Sequence, residues 1–223
     1  PVLGGCPIGH RPITFHIEAL NKMGIRIERR EHSYRAEADD IHGARIAFAF
    51  PSVGATENVI LTAVCARGAT QITNAAVEPE IMNLVAMLTG MGAHINVDAA
   101  RRTIDIEGVS ELHGVTARTM LDRNEIVSFA AAGLATGGDV IIAGAEKEHI
   151  ESFLSALDQI GARYAATEGG MRFWKSETFR PAMIETRPHP GFMTDWQQPF
   201  CVLLAQAGGP SAMHETVYED RFG

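Results

Sequence analysis

Four stretches of this sequence hold residue types that could do chemistry. Cys6 stands in Gly4-Gly5-Cys6-Pro7-Ile8-Gly9-His10-Arg11-Pro12. The glycines free the backbone for positive φ, and Pro12 fits the first turn of a helix, where no amide hydrogen is required. A thiol placed there is hinged and not packed. His10, Arg11 and a helix N-terminus beside it favour the thiolate, and the same groups attract a phosphate. The alternative is a glycine-rich turn with an incidental small apolar residue. Pro51-Ser52-Val53-Gly54-Ala55-Thr56-Glu57-Asn58 enters an apolar helix, either to present backbone amides to a ligand or with Ser52 or Thr56 as a plain cap. Thr186 to Gln198 is dense in polar and aromatic residues, and Asp195 within it is a general base facing a cleft or a helix N-cap. Arg221, close to acids in the tail His214 to Phe222, reads as one half of an ion pair.

The elements that must carry these residues follow from periodicity. Ile13, Ile17, Leu20 and Met23 have helical spacing, and Gly24 ends that helix before strands at Ile25-Arg30, Tyr34-Ala38 and Ala44-Phe50. Arg26, Arg29, Arg30 and Arg35 cluster there, interleaved with Glu28 and Glu31 as on a solvated sheet face. Further helices are expected at Asn58-Ala66, Ile81-Thr89, Asn124-Ala135, Lys147-Gln159 and Phe200-Ala207. Strands are expected at Gln71-Thr73, His94-Val97, Thr103-Ile106 and Val140-Ile142, and again from Ile160 onward.

Glycines that close these helices recur in register. Gly68 and Gly137 are 69 residues apart, as are Gly92 and Gly161. Units of roughly 70 residues are longer than solenoid repeats of about 20–50, so duplicated α/β subdomains are expected. Two belong to each half of the chain, with the break near Ala117-Leu121. Asp122-Arg123 at the break is a salt-bridged hinge or a site pair.

Composition narrows the function classes. The 223 residues are 46% hydrophobic and 21% charged, an ordinary globular balance. A net charge of -8 argues against a nucleic-acid partner, so any anion must be held by local arginines. No apolar run approaches the roughly 18 residues of a membrane span, and a soluble cytoplasmic protein is expected. Cys6, Cys65 and Cys201 make an odd number without metal-ligand spacing. Cys65 and Cys201 are expected to be buried and inert. His10, His16 and His189 are isolated, and no metal or cofactor is expected. The chain opens on Pro1 and stops at Gly223, and is expected to be a fragment or a processed chain.

Taken together, Gly-Gly-Cys-Pro-Ile-Gly-His-Arg-Pro, Ser-Val-Gly-Ala-Thr-Glu-Asn, Glu-Pro-Glu-Ile, Asp-Arg-Asn-Glu, Pro-His-Pro-Gly-Phe-Met-Thr-Asp and Glu-Thr-Val-Tyr-Glu-Asp-Arg-Phe resemble, in order and spacing, the UDP-N-acetylglucosamine enolpyruvyl transferases (1-carboxyvinyltransferases). The match runs the length of the chain and covers about the middle half of that family's usual chain. It implies an inside-out α/β barrel of two domains with repeated βαβαββ-like units, residues 1–120 belonging to the first domain and 121–223 to the second. It also implies transfer of the enolpyruvyl group of phosphoenolpyruvate to the sugar 3-hydroxyl of UDP-N-acetylglucosamine, at the start of peptidoglycan synthesis, by a protein that is a monomer when complete.

The resemblance puts Cys6 on the loop cysteine that is proton donor or covalent partner for phosphoenolpyruvate. Arg11 falls on an arginine facing the substrate phosphates, Ser52, Val53 and Gly54 on the loop contacting UDP, and Asp195 on the base for the sugar hydroxyl, with Thr194 beside it. Val217 and Tyr218 line the sugar-nucleotide cleft and Arg221 is a closing arginine. His16 is kept among the substrate contacts, but Thr14 replaces the family's usual Asp, and a neutral hydroxyl does not accept hydrogen bonds as a carboxylate does. Leu121, Val77 and Asp220 replace a proline, an arginine and an asparagine. The family's N-terminal Lys-Asn motif lies outside these residues, so they are not expected to turn over alone. Two alternatives stand beside this reading: a paralogue with a different acceptor, and a non-catalytic sugar-nucleotide-binding fragment.

Overall fold

In the computed structural model the described residues are 13–174, 177–218 and 220–221. They divide after Thr119 into two compact units. Cys6 and Arg11 lie outside the described residues. Among the described residues no helix is long and apolar enough to cross a membrane, and no group of three or more His, Cys, Asp or Glu is placed to hold a metal ion.

The first unit opens with α1 (Thr14–Lys22) and the antiparallel hairpin of β1 (Ile25–Arg29) and β2 (Tyr34–Ala38). Then come β3 (Arg45–Ala47), α2 (Val53–Ala63), β4 (Ala69–Thr73), α3 (Pro79–Gly90), β5 (His94–Asp98) and β6 (Thr103–Glu107). Their sheet has the order β3-β4-β6-β5, with β3 parallel to β4 and the other pairs antiparallel. Ile104 and Ile106 of β6 are buried while Asp105 and Glu107 are exposed, the period-two signature of a sheet with one covered face. Ala55, Val59, Ile60 and Ala63 of α2, Ile72 of β4 and Ile81 and Leu88 of α3 complete that core.

The second unit contains α4 (Arg123–Ala135), β7 (Asp139–Ala143), α5 (Glu151–Ile160), β8 (Arg163–Thr167), β9 (Gly170–Trp174), β10 (Met183–Glu185), α6 (Gln197–Leu204) and β11 (Ala212–His214). One sheet runs β7-β9-β8 and β10 pairs in parallel with β11. Its core is aromatic: Phe153 lies 6.3 Å from Phe173, 6.0 Å from Trp196 and 6.0 Å from Phe200, centroid to centroid.

The repeat is visible in the connectivity. The order β4-α3-β5-β6 with sheet order β4-β6-β5 returns as β7-α5-β8-β9 with sheet order β7-β9-β8. Gly68 and Gly137 precede the first strand of each, Gly92 and Gly161 the second, all with positive φ of 72–99°. That left-handed conformation ends a helix cheaply only at glycine.

Several expected boundaries move. Helix α2 starts at Val53 and not Asn58, because Ser52 Oγ accepts from the Ala55 amide at 3.4 Å and so caps an earlier first turn. The helix expected over Lys147-Gln159 is interrupted: a 3-10 turn at Lys147–His149 stops at Ile150, whose φ of -130° turns its fully buried side chain inward before α5 begins. Helix α6 ends at Leu204, earlier than expected, since the chain leaves to pair Gly208 with Phe179. The two cysteines are not buried as expected. α2 ends at Ala63, so exposed Cys65 sits in the turn beyond it, while Cys201 is half-buried and its thiol is pushed up by that burial. The arginine cluster is a solvated face, with Arg26 3.1 Å from Asp39 and 3.9 Å from Glu37.

Candidate functional site

In the first unit His16, Ser52, Val53 and Gly54 come together. His16 projects from α1 toward the start of α2, so that a Cβ on Gly54 would lie 3.3 Å from its ring. A side chain there would make the imidazole give by a few tenths of an ångström. Asn58 Nδ2 is 2.6 Å from His16 Nδ1, a hydrogen bond that ties the ring to α2. Ser52 spends its hydroxyl on the α2 cap, and its carbonyl accepts from the Thr56 amide at 3.0 Å and hydroxyl at 2.8 Å. Val53 leans on the core.

Burial pushes the His16 imidazole below its ordinary value. A histidine whose folded value is depressed binds a proton more readily in the unfolded chain, so its share of stability is complete above about pH 6.5 and is lost as pH falls through the folded value. His16→Gln is therefore expected to flatten the loss of stability below that pH, read as the wild-type-minus-variant difference in chemical denaturation. The difference matters because Glu57, raised by burial and by neighbouring Glu80, contributes a slope of opposite sign at lower pH. An unchanged slope in the variant would discard this role for His16.

In the second unit Thr194, Asp195, Val217, Tyr218 and Arg221 come together. Thr194 and Asp195 form a 3-10 turn, Thr194–Trp196, that runs straight into α6. Asp195 caps no helix. Its Oδ1 accepts from Arg221 Nη2 at 2.7 Å, and among the described residues Oδ2 has no hydrogen-bond partner. The Arg221 side chain is 9% exposed and that of Asp195 40%, so the cation is embedded while the carboxylate reaches solvent. Trp196, the next residue, is fully buried and fixes the turn from below, with the guanidinium of buried Arg123 5.5 Å from its ring centroid. Asp122 caps α4, accepting from the Asn124 amide at 2.7 Å.

One acid in this site has no counterpart among the sequence candidates. Glu215 Oε1 accepts from Thr186 Oγ1 at 3.0 Å and from the amides of Val217 and Tyr218, and its Oε2 accepts from Thr194 Oγ1 at 2.7 Å and from Gln197 Nε2. Burial works to raise its pKa, but the donors from Thr194, Tyr218, Val217 and Thr186 prevail and hold it below the usual carboxylate range. A local signal existed, since an acid two and three residues before free amides is a turn acceptor. The partners at Thr186 and Thr194 are too distant in sequence to be read.

A family model described as EPSP synthase (3-phosphoshikimate 1-carboxyvinyltransferase) matches residues 2–223. Over 229 residues the chain is 44% identical to a UDP-N-acetylglucosamine 1-carboxyvinyltransferase of Protochlamydia amoebophila, covering 100% of this chain and 49% of that protein. Over 225 residues it is 44% identical to the one of Chlamydia abortus, covering 100% and 50%. It thus spans about half the length of the curated relatives it matches. The enolpyruvyl transferase NikO from Streptomyces tendae superposes with a TM-score of 0.84 at 21% identity, over 96% of this chain and 53% of that one. An EPSP synthase from Acinetobacter baumannii gives 0.69 at 17% identity, over 94% and 50%. Those likenesses show the fold, the inside-out α/β barrel type expected from the motifs. With a matched model over nearly every residue and a shared architecture, the chain belongs to the EPSP synthase (3-phosphoshikimate 1-carboxyvinyltransferase) family.

Proposed function

We propose that this protein transfers the enolpyruvyl group of phosphoenolpyruvate to the 3-hydroxyl of UDP-N-acetylglucosamine, residues 1–120 serving in the first enolpyruvyl transferase domain and 121–223 in the second. The observation that carries this is the Asp195 carboxylate, oriented through one oxygen by embedded Arg221 with the other oxygen open. That is what a general base needs: a fixed direction and a vacant lone pair. The names of the relatives at 44% identity support the acceptor.

In this reading Asp195 takes the proton of the sugar hydroxyl as its oxygen bonds to C2 of phosphoenolpyruvate. Cys6 delivers a proton to C3, and a tetrahedral adduct results. The Cys6 thiolate then takes a proton back from C3 as the bond from C2 to the phosphate oxygen breaks, Asp195 returns its proton to the leaving phosphate, and inorganic phosphate and the enol ether result. Arg11 holds phosphate oxygens through its planar fork. His16, Ser52, Val53 and Gly54 contact the nucleotide, Thr194, Val217 and Tyr218 the sugar side, and Arg221 orients Asp195. The reaction uses small soluble substrates, and the protein works in the cytoplasm as a monomer without metal or cofactor.

A different acceptor is the second reading, favoured by Thr14 at an exposed position on α1 where the motif has a carboxylate. The test is phosphate release from phosphoenolpyruvate by the complete gene product, with and without UDP-N-acetylglucosamine. Release only with the sugar nucleotide is expected. Binding without release sinks the transferase reading, and release only with another hydroxyl acceptor replaces it by the second. An epoxide phosphonate mimicking phosphoenolpyruvate is expected to alkylate Cys6, and intact-mass mapping that finds the label on exposed Cys65 instead would remove Cys6 from its role.

A further inference from the structure

We propose that Glu215 is the positioning residue of this site, holding the Asp195 turn and the segment that carries Arg221 in one frame; the inference deepens the reading of Asp195 as base and rests on it. Its five donors come from three places: Thr186 after β10, Thr194 and Gln197 across the turn into α6, and the amides of Val217 and Tyr218. Thr194 immediately precedes Asp195. Val217 and Tyr218 lead the chain toward Arg221, which returns to Asp195 at 2.7 Å. Glu215 thus ties Thr194, the neighbour of Asp195, to Val217 and Tyr218, the residues that precede Arg221 by four and three positions, without touching either partner of the ion pair.

Chemistry limits what else could stand there. Only an ionised carboxylate offers two acceptor oxygens to donors arriving on both sides; a Gln would turn an N–H₂ against some of them, and an Asp is one methylene short. A neighbouring segment is tied to the same frame. The Thr216 amide donates to Thr186 Oγ1 at 3.0 Å and the Thr216 hydroxyl to the Thr186 carbonyl at 2.5 Å. The donors on Glu215 hold it below the usual carboxylate range, which favours its charged, accepting form.

A double-mutant cycle in the complete gene product tests this. Glu215→Gln is expected to lower kcat about ten- to a hundredfold, the penalty for shifting a reacting group by a fraction of an ångström to an ångström, with the KM for phosphoenolpyruvate nearly unchanged. In an Asp195→Asn background the same change is expected to cost less than about twofold, because the group it positions has gone. Wild-type turnover in Glu215→Gln, or an equal fold-loss in both backgrounds, overturns the inference while leaving the base in place. Unchanged turnover in Asp195→Asn alone overturns the base and this inference with it. If Glu215→Gln lacks the wild-type circular dichroism spectrum, Gln197→Met takes its place under the same criteria with a smaller expected loss. It removes the amide that donates to Glu215 Oε2 and also to the Thr194 carbonyl at 2.9 Å and hydroxyl at 3.0 Å, so the criterion is its fold-loss against the Asp195→Asn background; among the described residues the buried Gln197 Oε1 has no partner to forfeit.

Discussion

Asp195→Asn is expected to lower kcat by roughly 10²–10⁴-fold, the range for removing a positioned general base. The variant keeps the side chain's size and an oxygen for Arg221 to donate to at the present 2.7 Å, so the geometry survives while basicity is lost. Because the proton moves only in the transition state, kcat and kcat/KM are expected to fall together and sugar-nucleotide binding by calorimetry to persist. A rise in KM at constant kcat would instead make Asp195 a binding residue. An unaltered turnover number would remove it from the mechanism. The ion pair bears on the expectation: the Arg221 side chain is 9% exposed and Gln198 Oε1 lies 3.4 Å from its Nη2, so the guanidinium keeps a second acceptor when its counterion is neutralised.

What could be read in the sequence differed between backbone and site for a physical reason. The repeat was legible because glycine is the one residue that enters positive φ at little cost, and Gly24, Gly68, Gly92, Gly137 and Gly161 all do so where a helix hands over to a strand. Strand alternation was legible at Thr103-Ile106 because one face of that sheet is covered. Helix starts were less so. Ser52 looks the same in sequence whether it caps a helix or offers its amides, and the interruption at Ile150 depends on a core that demands its side chain. Cys65 lay in an apolar run that ends just before it. In the site, residue types left Asp195 open between a helix N-cap and a base, and gave Arg221 only as one half of an ion pair. Their pairing across 26 positions, and the gathering of donors on Glu215 from as far as Thr186, are tertiary facts. Local chemistry names candidates, and only the packed fold decides which meet.

The floor beneath that site yields the other large effect. Phe153→Ala is expected to destabilise the second unit by about 3–5 kcal/mol, the range for truncating a fully buried aromatic. Against a typical total of about 5–15 kcal/mol that is a severe loss. Phe153 touches Phe173, Trp196 and Phe200, and the last two also contact Phe192, so one ring supports the face from which Thr194–Trp196 leaves. The vacated volume lets Trp196 settle, and Asp195 is its neighbour in the chain. Turnover is therefore expected to fall even where the variant remains folded, and Phe153→Leu, which refills part of the space, to recover much of both stability and rate. Denaturant midpoints and kcat for the pair of variants check this. Stability lost without any loss of rate would show that the turn is held from above, by Glu215 and its donors, and not by the aromatic floor.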